Sequence, residues 1–227
     1  MRKLLTLFAA LILSSAAHAL SLDQLTNKDA VGGLKQALTQ GAGKAVDMLG
    51  KTDGFLGNEK VKIPLPENLQ RAEHTMRTIG LGKYADELIT SMNRAAEAAM
   101  PEAKKTLVAS IKQMSVSDAK GILAGEDNAA TEYFRRTTAE PLGEKFKPIV
   151  RKAMAKVKLA QRYDQFVGKA DMFGLVREED ASLEDYVTRK ALDGVFLMIA
   201  EEEKAIRADP VAAAGRLAKK VFGAIGK

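Results

Sequence analysis

Apolar residues recur at helical spacing along almost the whole chain, and alternating runs of the kind that make half-buried strands are nearly absent. The pattern predicts an all-α fold. From Lys83 the series Tyr84, Leu88, Met92, Ala95 and Ala99 marks one helix face, and Leu142, Phe146, Ile149, Ala153, Val157 and Ala160 mark another. From Leu183 the face Tyr186, Val187, Val195, Met198 and Ile199 widens until residues 195–200 are apolar all round, which predicts a helix at the buried centre of a bundle.

Helix punctuation agrees with this parsing. Ser115 with Asp118 and Ser182 with Asp185 resemble capping boxes, and Asp209-Pro210 places a capping side chain before a proline at a first helical position. Gly80 with Gly82, and Gly125, read as stops. Pro101 and Pro148 fall inside helical patterns, so each should begin a new helix or kink an old one. The expected architecture is an irregular bundle of about seven to nine helices with one extended arm. That arm is Val61 to Pro66, where prolines at 64 and 66 force an extended backbone and Ile63 and Leu65 supply apolar side chains to lay into a groove. The expected organisation is a signal peptide over 1–19, an amphipathic amino-terminal segment plus arm over 20–66, and the main bundle over 67–227. The sequence has no convincing internal repeat.

The first nineteen residues set the expected location. Met1-Arg2-Lys3 is a basic head, Leu4 to Leu13 an apolar run too short to span a bilayer, and Ala17-His18-Ala19 a small-x-small cleavage pattern. The expectation is a periplasmic protein whose mature chain begins at Leu20. The chain has no cysteine, so it offers neither a lipoprotein anchor nor a thiol to an oxidising compartment. The formal charge of +6 includes Arg2 and Lys3, far from the dense basic footprint of a nucleic-acid binder. No nucleic-acid partner is expected.

Candidate chemistry is sparse. His74 is the one histidine after the signal pattern, which removes most nucleophile-histidine arrangements, zinc sites built on imidazoles and helical di-iron motifs. It reads as a helix-surface residue. The acidic runs Glu178-Glu179-Asp180, Glu184-Asp185 and Glu201-Glu202-Glu203 lack EF-hand spacing and read as solvated faces and first-turn acids. No metal and no cofactor are expected, although a pair of carboxylates assembled by the fold leaves open a hydrolase. Gly41-Ala42-Gly43-Lys44 lacks the spacing and preceding strand of a phosphate loop. Two basic features fit weak contact with an anionic membrane surface: Lys145 to Arg162, free of acids, and the amphipathic segment Val211 to Lys227. Each also reads more simply, as a charge-balanced face and as a helix docked on the bundle.

The densest polar cluster among small residues is Asn93-Arg94-Ala95-Ala96-Glu97, where Arg94 and Glu97 lie three apart on one face and the alanines let another helix approach closely. A second stretch is residues 127–136, with Asp127 as N-cap, Tyr133 and Phe134 pointing inward, and Thr131 and Arg135 beside them. If a site exists, it is expected at Asn93, Arg94, Glu97, Asp127, Thr131, Tyr133 and Arg135. The plainer reading is a charge-assisted network between helices.

At these residues the chain resembles the secreted bacterial domain-of-unknown-function family 4197. The likeness is carried by Lys62-Ile63-Pro64-Leu65-Pro66, Met92-Asn93-Arg94-Ala95-Ala96-Glu97, the run from Ile122 through Arg136, and Ala191-Leu192-Asp193-Gly194 continuing to Ile206-Arg207-Ala208-Asp209-Pro210. The resemblance implies an exported helical protein of Gram-negative bacteria and carries over no catalytic or binding residue. The leading functional expectation is a non-catalytic binding or interaction protein whose partner, a protein or an amphiphilic ligand, the sequence does not name. A carrier of an apolar or amphiphilic ligand is the alternative, its cavity lined by Met92, Met100, Met114, Met154, Met172 and Met198. A carboxylate-dependent hydrolase is the third.

Overall fold

The computed structural model describes residues 27–175 and 182–209. The expected signal segment, the acidic run at 178–180, Pro210 and the segment Val211 to Lys227 lie outside the described residues. Among the described residues seven helices follow one another: α1 (Asn27–Leu49), α2 (Glu67–Thr78), α3 (Gly82–Gln113), α4 (Val116–Ala124), α5 (Ala129–Lys156), α6 (Leu159–Asp171) and α7 (Leu183–Ala208). The described residues contain no strand. The fold is all-α.

The periodicity places the core well. Leu88, Met92, Ala95 and Ala99 of α3, Leu142, Phe146 and Ala153 of α5, and Val187, Val195, Met198 and Ile199 of α7 are buried, while Tyr84 and Tyr186 sit half-buried at the margin. The centre of the bundle is nevertheless α3 and not α7. The 32-residue α3 packs on α1, α2, α5, α6 and α7, whereas Leu197 leaves one side of α7 exposed. Alanines at 85, 95, 96, 99 and 103 explain why α3 can take so many neighbours, since small side chains bring helix axes close. Residues of α1 and of the arm, Leu34, Val46, Ile63 and Leu65 among them, lie in the same continuous core cluster as α3, α5 and α7.

Two expectations about boundaries are corrected, and of the two outcomes expected at Pro101 and Pro148, a new helix or a kinked one, the first does not occur. Neither Pro101 nor Pro148 begins a helix: α3 runs through Pro101, and α5 runs through Pro141 and Pro148. Each ring costs a backbone bond locally, but these helices are held by buried faces on both sides of it. The face expected to continue to Ala160 breaks at Lys158, whose left-handed backbone (φ 53°) separates α5 from α6. Gly82 opens α3 instead of stopping a helix, the reversal being made by Gly80 at φ 80°. Gly125 does terminate α4, and the Ser115–Asp118 capping box forms in both directions. Ser182 caps α7 through the Asp185 N–H alone.

The stretch between α1 and α2 is the irregular part of the fold. Phe55 inserts into the core against Gly194, where a Cβ would come within 2.7 Å of its ring. A side chain at 194 would therefore eject Phe55. The Val61 to Pro66 arm lies in an apolar groove, with Ile63 and Leu65 buried and Pro64 exposed.

Candidate functional site

Asn93 sits wholly buried on α3 and is committed to the arm. Its Oδ1 accepts the Ile63 N–H at 2.9 Å, and its Nδ2 donates to the Ile63 carbonyl at 2.9 Å and to the Ile89 carbonyl at 2.8 Å. An extended segment among helices has no ladder partner for its backbone, and one amide side chain supplies both a donor and an acceptor. On the other side of the arm the Tyr186 hydroxyl donates to the Pro64 carbonyl at 2.9 Å, and burial holds that phenol above its ordinary range.

Arg94 and Glu97 close the loop that precedes the arm. Arg94 donates to Glu97 Oε2 at 2.7 Å and to Asp53 Oδ1 at 2.7 Å, while Glu97 Oε1 accepts the Phe55 N–H at 3.2 Å. The Glu97 side chain is 7% exposed and that of Arg94 is 29% exposed, so the pair is desolvated on the carboxylate side. Hydrogen bonding first to Glu97 and then to Asp53 raises the Arg94 guanidinium above its ordinary value.

The second stretch forms a separate network. Thr131, buried on α5, donates its N–H and its hydroxyl to Glu203 Oε2, each at 2.8 Å, and the Ala130 N–H reaches Glu203 Oε1 at 2.9 Å. Arg207, one turn along α7, pairs with Glu203 at 3.0 Å and donates to the Ile122 carbonyl at 3.0 Å. Glu203 is thus buried, a correction to its reading as part of a solvated face; its neighbours Glu201 and Glu202 do pair at the surface, with Lys60 and Lys44. Asp127 is not the N-cap. It is exposed, and the cap position belongs to Asn128, whose side chain makes no capping bond because Glu203 from α7 takes that role. A carboxylate at a helix N-terminus also meets the positive end of the helix dipole.

Tyr133 and Phe134 do point inward, and the Tyr133 hydroxyl donates to the Ser110 carbonyl at 3.2 Å. Arg135 lies exposed on the surface with its guanidinium 4.8 Å from the Phe196 ring centre. Among the described residues no hydrogen bond or ion pair joins the Asn93–Glu97 group to the Thr131 group. The two stretches are two fastenings, one for the arm and its loop, one for the start of α5. The spacing Glu203-x-x-x-Arg207 was the available signal for the second, masked by the acidic run around it.

The basic stretch from Lys145 to Arg162 is balanced by acids from other helices. Lys147 meets Asp185, Arg151 makes a two-pronged contact with Glu184, Lys145 reaches Glu102, and Arg162 pairs with Glu87. The methionines do not line one cavity. Met92, Met114 and Met198 are core residues, Met172 is exposed, and Met100 borders a groove between α1 and α3.

That groove has a volume of about 500 Å³. Val46, Met100, Pro101 and Val108 form its apolar part, and Lys51, Lys104 and Lys105 stand around it with Asp47. It combines an apolar floor with three lysines against one aspartate, and sequence reading missed it because its two walls come from helices far apart in the chain. No curated protein and no solved structure matches this chain. The family model that does match covers residues 24–223 and is described as a protein of unknown function, DUF4197, and the chain belongs to that family.

Proposed function

We propose that this is an exported, periplasmic, non-catalytic binding protein. The observation that supports the reading is the commitment of its buried polar groups to its own backbone. The two buried carboxylates among the described residues, Glu97 and Glu203, hold the Phe55, Ala130 and Thr131 N–H groups, and the buried amide of Asn93 holds the arm. A catalytic acid or base needs a proton-transfer partner in reach of a substrate, whereas these groups face inward and make a stiff frame. Binding then falls to the surface, where the α1–α3 groove is of a size found in small-ligand sites, roughly 300–1,000 Å³. Export rests on the basic head, apolar run and Ala17-His18-Ala19 pattern.

Native mass spectrometry of the protein released from its own periplasm by osmotic shock tests both parts. The expected mature chain begins at Leu20 and carries a bound small molecule or partner. A chain still beginning at Met1 in the shock fluid would overturn export, and a chain without any companion would overturn binding.

A further inference from the structure

We propose, building on the binding reading above, that the groove between α1 and α3 takes a single-chain anionic amphiphile, its tail on the apolar floor and its headgroup among the lysines. The floor is chemically uniform. Val46 and Met100 reach it from the core, Val108 is half-buried beside them, and Pro101 adds an exposed ring with no N–H for water to hold. Methionine suits such a floor because its unbranched thioether conforms to a flexible chain. The end near Gly50 is closely built, since a Cβ there would come within 3.1 Å of Met100 Cβ.

The charge on the walls selects the sign of the headgroup. Three lysines stand on the lining against one acid, Asp47. Lysine stems lie along apolar surface and carry their ammonium groups to the rim, which sorts tail from headgroup without a deep pocket. Asp47 grips Lys104 through both oxygens, at 2.9 and 2.7 Å, and Lys105 pairs with Glu102 at 3.1 Å. Lys51 has no such partner among the described residues. An arriving carboxylate therefore meets Lys51 free and competes with Asp47 for Lys104. A cationic amphiphile would gain the same floor and meet an adverse rim, and a neutral one would gain the floor without the attraction.

Calorimetric titration of the mature protein with submicellar laurate, and with dodecyltrimethylammonium as the same tail under opposite charge, tests this. Wild type should bind laurate at one site in preference to the cation. The variant K51E/K104E/K105E should lose at least about tenfold in laurate affinity and reverse the preference, as charge complementarity requires. Asp47→Asn should tighten laurate by about threefold, because it removes a competing surface pair of modest strength. The substituted side chains are exposed, and unchanged circular dichroism and melting would establish that each variant is folded; should the triple variant not fold, Asp47→Asn decides alone. Absence of laurate binding to wild type, or equal affinities in wild type and both variants, would overturn the proposal. If laurate is silent while native mass spectrometry finds another ligand or a protein partner, this assignment fails and the binding reading stands.

Discussion

The side chain of Asn93 pairs with the backbone of Ile63 in the manner of a neighbouring strand, accepting its N–H and donating to its carbonyl at 2.9 Å each. This one amide joins the central helix to the extended arm. Replacing it by alanine leaves the buried N–H and C=O of Ile63 without partners. Each orphaned buried group costs about 1–3 kcal/mol, so Asn93→Ala should destabilise by about 3 kcal/mol. In a domain of this size that corresponds to a melting temperature lower by about 10 °C. A melt within a degree or two of wild type would show that the arm is held without the amide, by its apolar side chains and the Tyr186 hydroxyl.

What the sequence disclosed here, and what it hid, follow from where information is local. Helix faces such as Leu88-Met92-Ala95-Ala99 are legible because burial repeats every three to four residues, and the arm because two prolines admit only extended backbone. The capping box at Ser115 was legible because both partners lie within one turn. By contrast, nothing in Asp127-Asn128 shows that the start of α5 is capped from 70 residues away, so the nearest acid looked like the cap. Partners of Arg94 were half visible: Glu97 by its spacing, Asp53 not at all. The α1–α3 groove was invisible for the same reason, as its lysines are ordinary surface residues until the fold sets them around Met100.

The Arg94–Glu97 pair can be separated from any ligand role by its own chemistry. Arg94→Ala strands a nearly buried carboxylate, and with Arg94 itself part-exposed the cost should be about 2 kcal/mol, below the 3–5 kcal/mol of fully buried pairs. Adding Glu97→Gln removes the stranded charge while keeping an oxygen for the Phe55 N–H. Denaturant unfolding should therefore find the double variant more stable than Arg94→Ala alone. If Arg94→Ala unfolds like wild type but loses a co-purifying companion, the arginine serves binding and not the frame.

Asp118 gives the fold a defined acid sensitivity. Its carboxylate is held below its ordinary value, first by the Ser115 hydroxyl and then by the Ser115 N–H. A carboxyl with a depressed folded-state value stabilises the protein above the unfolded value, near 3.8, and loses that contribution as pH falls through the folded value. The advantage of wild type over Asp118→Asn should be about 0.5 kcal/mol at neutral pH, the worth of a surface carboxylate at a helix N-terminus, and should shrink at pH values below 3.8. A constant difference across that range would mean that the carboxylate is not the stabilising form.

Glu203 carries the last and most demanding test, because it does at long range what helix caps do locally. It satisfies two of the free N–H groups at the start of α5 and the guanidinium of Arg207. Glu203→Ala would strip the Ala130 and Thr131 N–H groups and the Thr131 hydroxyl of their acceptor and leave Arg207 with the Ile122 carbonyl alone, a loss of about 3–5 kcal/mol. Hydrogen exchange should then localise the damage, with the amides of residues 129–135 opening well before the rest of α5. A rescue follows from the same geometry. Asn128 already occupies the cap position without using its side chain, so Asn128→Asp can supply a local carboxylate to the same N–H groups. In the Glu203→Ala background it should restore about 1 kcal/mol and slow exchange at residues 129–135, while in wild type, where Glu203 already holds those groups, it should do little. Equal gains in both backgrounds would show that the added charge acts on the helix dipole in general and that Glu203 is not the cap.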